Sequence, residues 1–67
     1  MDEIIKLSDV APGDKIILNN KAFLVTNITS NLLKYTVIGL IEYSTYNLKY
    51  ISADFEISKK FVISQDK

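Results

Sequence analysis

The stretch SDVAPGDKIILNNKAFLVTNITS, Ser8 to Ser30, constrains the fold more than any other part of the chain. Pro12-Gly13 suits the two central positions of a type II turn, because proline presets φ and glycine accepts the positive φ that follows. Asn19-Asn20 lies between two apolar runs, and asparagine tolerates the left-handed conformation that a two-residue hairpin loop demands twice in succession. The stretch therefore reads as a turn, a strand (Lys15 to Leu18), a tight hairpin and a second strand (Ala22 to Ile28), followed by a polar break at Thr29-Ser30-Asn31.

The rest of the chain continues in the same idiom. Lys34 to Ile41 reads as a third strand. Strict alternation puts Tyr35, Val37, Gly39 and Ile41 on one face and Lys34, Thr36, Ile38 and Leu40 on the other. Both faces are partly apolar, which marks a central strand. A glycine inside it predicts a bulge or sharp bend. Glu42 to Thr45 turns the chain, and Tyr46 to Ser52 reads as a fourth strand with Tyr46, Leu48 and Tyr50 on one face. Ser52-Ala53-Asp54 reads as a short 3₁₀ turn. Phe55 to Ile57 and Phe61 to Ile63 form either one last strand or a terminal hairpin, and the tail Gln65-Asp66-Lys67 is expected to fray. Ile4, Ile5 and Leu7 are too few to choose between a strand and a helical turn.

Short strands at this spacing, with no long helix between them, predict an all-β fold: a single small SH3-like barrel spanning residues 1–67, built from five or six antiparallel strands. Composition agrees, since ten Ile, four Val, four Tyr and three Phe among 67 residues favour strands. A chain of this size has a thin core margin. With no Cys and no His it has neither a disulfide nor the usual metal staple. Phe23, Val25, Val37 and Phe61 are the expected core members.

The same inventory narrows function. Without His or Cys the common nucleophilic dyads are excluded, and two glycines allow no phosphate-cradling loop. The reading is a non-enzyme with no cofactor and no metal. Asp54 and Glu56, two apart, read as a solvated edge rather than paired catalytic carboxylates. Eight Lys balance eight acids, and no Arg is present. Zero net charge and the missing Arg fork both disfavour nucleic acid as a partner. No apolar run reaches membrane-spanning length, and the acidic start MDEIIKLSDV is not a secretory signal, so a cytoplasmic location without membrane contact is expected. Asn27-Ile28-Thr29 matches a glycosylation sequon by chance in that setting. Abundant Ile, Lys, Asn and Tyr point weakly to an AT-rich phage or bacterial genome.

The run Asp9-Val10-Ala11-Pro12-Gly13-Asp14-Lys15-Ile16, followed by Asn19-Asn20-Lys21-Ala22-Phe23-Leu24-Val25, resembles the opening of the SH3-like, KOW-type N-terminal domain of bacterial elongation factor P and its eukaryotic counterpart. The third strand, ending Val37-Ile38-Gly39-Leu40, also fits, so the resemblance spans roughly 45 residues, on the order of two-thirds of a one-domain chain. It implies the barrel fold. In that family a basic residue flanked by glycines sits on the loop after the second strand. Here that loop, Thr29-Ser30-Asn31-Leu32-Leu33, has no glycine and no basic tip, and Lys34 reads as part of the next strand.

For partner binding, Tyr43, Tyr46 and Tyr50 cluster near one turn, with Lys49 beside them. Such tyrosines serve as core, as a protein-binding patch, or as a stacking platform for single strands; core packing is the plain expectation. Lys59-Lys60, beside Phe61, form a second basic spot that reads mainly as a charged loop tip. The leading expectation is an interaction module that binds and modulates another protein, as a phage or bacterial accessory regulator does. A nucleic-acid- or ribosome-associated domain and a homo-oligomeric structural subunit are the alternatives.

Overall fold

The computed structural model describes residues Glu3–Ile63; the expected frayed tail lies outside them. The fold is all-β. Its strands are β1 (Ile4–Lys6), β2 (Lys15–Leu18), β3 (Lys21–Asn31), β4 (Thr36–Glu42), β5 (Leu48–Ser52), β6 (Glu56–Ser58) and β7 (Val62–Ile63), with 3₁₀ turns at Leu7–Asp9 and Lys59–Phe61. A five-stranded antiparallel sheet runs β5-β4-β3-β2-β7, and β1 pairs with β6 in a second, two-stranded sheet.

Both turn readings hold. Asp14 N–H donates to the Ala11 carbonyl at 3.1 Å across Pro12-Gly13, and Gly13 has φ 97°, as a type II turn requires. Asn19 and Asn20 have φ 51° and 64°, and they join Leu18 to its partner Lys21. Two left-handed residues in a two-residue loop twist in the same sense as the strands they connect.

The inner faces of the strands meet in one core: Ile16 of β2, Phe23 and Val25 of β3, Ile38 and Leu40 of β4, and Ile57 of β6, closed by Leu7 and Val10. The chain from Lys6 to Asp9 is fixed by the Lys6 N–H on Asp9 Oδ2 (3.2 Å) and by Leu7 N–H on the Phe55 carbonyl (2.8 Å). These bonds seat the fully buried Leu7 over the core.

Several expectations need correction. Thr29-Ser30-Asn31 is not a break. It is the far end of the 11-residue β3, which pairs with β4 as Thr29↔Ile38, Ser30↔Val37 and Asn31↔Thr36. The segment is polar because it projects past the core, with every residue from Asn27 to Asn31 exposed. Lys34 lies in the turn before β4 rather than in the strand, beside a Leu33 that is 97% exposed. Tyr46 lies outside β5, which starts at Leu48. Ser52-Ala53-Asp54, by contrast, does form the short turn expected of it, closed by a single three-residue bond from Phe55 N–H to the Ser52 carbonyl (3.0 Å). Phe61 is 41% exposed, because the 3₁₀ turn that carries it separates two strands committed to different sheets. Phe23, Val25 and Val37 are buried as expected.

Gly39 does mark an irregularity, and the extra residues are on its neighbour. Between the pairs Val25↔Leu40 and Thr29↔Ile38, β3 places Thr26, Asn27 and Ile28 opposite the single Gly39. Thr26 Oγ1 donates to the Gly39 carbonyl at 2.7 Å and accepts the Ile28 N–H at 3.1 Å, so one hydroxyl closes the bulge from both sides. A Cβ on Gly39 would meet Thr26 Oγ1 and Leu48 Cδ1 at 3.1 Å each.

Candidate functional site: the outer face of the β3–β4–β5 sheet

Alternation along β4 explains the site. Ile38 and Leu40 point into the core, so Val37, Gly39 and Ile41 face the other way. The registers carry this outer row across the sheet as Ile63↔Lys15, Lys15↔Leu24, Leu24↔Ile41 and Ile41↔Leu48, with Tyr50 opposite Gly39. An antiparallel sheet with one covered face ordinarily shows polar residues on the other. Here the outer row is mostly apolar. Val37 is buried but does not belong to the main core cluster. Gly39 opens a shallow floor over which the Leu48 side chain lies, close to Ile28. Among the described residues, no further strand or helix covers this face.

The turn after β4 completes the face. Glu42 N–H donates to the Asn47 carbonyl (3.0 Å), and Tyr46 N–H donates to the Glu42 carbonyl (2.7 Å). Glu42 itself is 8% exposed and accepts the Ser44 hydroxyl at 2.9 Å, which holds the turn against the sheet end. This closure puts Tyr46 at φ 61°, a conformation that costs an aromatic residue energy and that glycine adopts freely. The ring is nevertheless 81% exposed. Tyr43 N–H bonds the Ala22 carbonyl (3.0 Å), which aligns Tyr43 with the outer row. Tyr43 and Tyr46 then flank a small cleft of about 110 Å³ floored by Leu24 and Ile41. The Lys15 ammonium stands 5.2 Å from the centre of the Tyr43 ring, a cation–π distance.

Of the residues singled out in the sequence, Tyr43, Tyr46 and Tyr50 belong to this face, and all three are exposed rather than packed in the core. The plain expectation of core packing is therefore corrected. Lys49 does not join them. It pairs with Leu40 and so points to the opposite side of the sheet, where it lines a separate cleft with Lys21, Phe23 and Phe55. Lys59 and Lys60 lie in the 3₁₀ turn leading into β7, the sheet edge farthest from β5. Lys59 pairs with Glu3 Oε1 at 3.6 Å, and the Lys60 ammonium stands 5.3 Å from the Phe61 ring centre. Leu24, Ile41, Ile28 and Lys15 escaped sequence reasoning. The signal that finds them is cross-strand register, which the two hairpins imply only once the bulge at Thr26, Asn27 and Ile28 is placed as well.

A second concavity, about 650 Å³, lies between Pro12 and the β3 bulge and is lined by the apolar Val10, Val25 and Ile38 together with Thr26, Asn27 and Thr36. Its acid, Asp54, faces Lys6 at 3.8 Å, an exposed pair of little energetic weight. Asp54 and Glu56 form no acid pair on a common strand, since only Glu56 belongs to β6. Among the described residues no group of three or more acids, His or Cys is placed to hold a metal, and no helix is long and apolar enough to cross a membrane. Comparison with protein-family models, curated proteins and solved structures finds no match for this chain.

Proposed function

We propose that this chain is a non-enzymatic interaction module, an SH3-like small barrel that binds another protein through the outer face of β3, β4 and β5 and modulates that partner as an accessory regulator. One observation supports the reading above the others: Tyr46 sits at a positive φ with its side chain in solvent, beside a cleft floored by apolar residues. Neither packing nor backbone preference accounts for a tyrosine there. Uncovered apolar surface with tyrosines at its rim is the usual chemistry of a protein-binding hot spot.

The test is capture from a lysate of the source organism on immobilised protein, with nuclease treatment. Wild type and the double variant Tyr46→Ser, Tyr50→Ser are compared after circular dichroism confirms that both are folded. A protein retained by wild type and lost by the variant supports the reading. Retention that survives the double substitution, or that nuclease abolishes, refutes it.

A second reading draws on Lys34. Lys34 is a basic residue in the turn between β3 and β4, next to the exposed Leu33, which supports that reading, although no glycine flanks it as the resemblance to elongation factor P implies. A ribosome- or nucleic-acid-associated domain would then lose binding on Lys34→Ala and with rising salt.

A further inference from the structure

The outer strand β5 ends the five-stranded sheet, and it has a partner on one side only. Which of its backbone groups face away from β4 follows from the bonds at its two ends. Glu42 N–H bonds the Asn47 carbonyl, and Ala53 N–H bonds the Thr36 carbonyl. In an antiparallel ladder the bonded pairs alternate. Lys49 and Ile51 therefore bond inward to Leu40 and Ile38, while Leu48, Tyr50 and Ser52, opposite Ile41, Gly39 and Val37, turn their main-chain groups outward. The Ser52 carbonyl already accepts Phe55 N–H. The N–H and carbonyl of Leu48 and Tyr50 have no backbone partner among the described residues.

We infer that β5 pairs antiparallel with β5 of a second copy of this chain, about a two-fold axis passing beside Tyr50. The outward residues are symmetric about that position, so the axis sets Tyr50 opposite its own copy and Leu48 opposite the copy's Ser52. Each Tyr50 exchanges both main-chain bonds with the other, which is the self-complementary contact a two-fold interface requires. Charge selects this register. Shifting the axis to Lys49 would set two ammonium groups directly opposite, which is unfavourable; with Tyr50 on the axis, each Lys49 faces Ile51 of the copy. Net charge is zero, so two copies meet without global repulsion. Alternation keeps both outer faces on the same side of the joined sheet, so the dimer presents two binding faces in one continuous surface. The dimer stands independently of what those faces bind.

Area sets the strength. An edge of five residues buries on the order of 400 Å² per partner, about half of a standard interface. The dimer is accordingly weak and reversible, and it is sought at protein concentrations from high micromolar to millimolar.

The experiment uses the absence of native cysteine. Tyr50→Cys and Lys49→Cys are prepared separately and oxidised gently at high concentration. Facing Tyr50 positions have Cα atoms about 5.5 Å apart, within disulfide reach, whereas two Lys49 positions are offset by two residues and lie beyond ~7 Å. Crosslinking of Tyr50→Cys at least tenfold faster than Lys49→Cys is expected. Equal rates, or a faster Lys49→Cys, overturn the arrangement. Hydrogen exchange on the wild-type chain provides the independent measurement: Tyr50 amide exchange should slow as concentration rises, while that of Leu33 does not change. A Tyr50 amide whose exchange is independent of concentration up to millimolar, with sedimentation as a monomer throughout, also overturns it. If Tyr50→Cys does not fold, the wild-type exchange and sedimentation decide alone.

Discussion

Replacing Tyr46 in two ways separates backbone strain from side-chain loss. Tyr46→Ala and Tyr46→Gly both remove the ring, so the contacts of an 81%-exposed side chain disappear equally from each. The two variants differ in how they tolerate φ 61°. Alanine carries a left-handed cost of roughly 1–2 kcal/mol that glycine escapes. Glycine gives back about 0.4–1 kcal/mol through the greater freedom of its unfolded chain. The net expectation is that Tyr46→Gly is more stable than Tyr46→Ala by about 0.5–1 kcal/mol. At an ordinary extended position the order reverses, with alanine ahead by roughly 0.5–1 kcal/mol. The two cases thus lie about 1–2 kcal/mol apart, which urea unfolding resolves: with a slope near 1 kcal/mol/M for a chain this small, the midpoint of the glycine variant should be higher by roughly 0.5–1 M. Alanine equal to or better than glycine would refute the left-handed turn, and with it the argument that backbone preference disfavours a tyrosine at position 46.

Three further substitutions examine the frame that supports the face. Asn20→Gly, at φ 64° in the two-residue loop, should raise stability by about 0.5 kcal/mol, read as a higher thermal midpoint, because asparagine-glycine is the preferred pair there. Gly39→Ala should cost about 1 kcal/mol in urea unfolding: the new methyl gains strand preference but presses on Thr26 Oγ1, which two hydrogen bonds hold in place. Leu40→Ala, at the fully buried centre of β4, should cost about 2–5 kcal/mol, and in so small a domain the loss of the cooperative thermal transition is the expected readout.

What was legible in the sequence is what is locally determined. Pro12-Gly13 and Asn19-Asn20 state their own backbone conformations, and β2, the start of β3 and the two-faced character of β4 follow from them. The far end of β3 was hidden because Thr29-Ser30-Asn31 lie in a strand with no core beneath it, so hydropathy reads polar while the backbone stays paired. The conformation of Tyr46 was hidden because a left-handed aromatic has no compositional mark; only closure of the turn by Glu42 and Asn47 imposes it. At the site, the three tyrosines were found by proximity along the chain, and Lys49 was misplaced for the same reason, since adjacency in a strand means opposite faces. Lys15 lies 28 residues from Tyr43 in sequence and reaches it only through register.

The order of the strands also has a kinetic consequence. From β2 to β5 every pairing joins neighbours in the chain, so the three-hairpin sheet assembles by closing short loops. The two closures that finish the fold are of another kind: Ile4 meets Ser58 and Lys15 meets Ile63, 54 and 48 residues apart along the chain. Closing long loops costs entropy before any contact rewards it, so these closures are expected to come late in folding. Ile57 of β6 and Leu7 beside β1 belong to the core that backs the sheet, so the tyrosine face gains its full support only when these last closures are made.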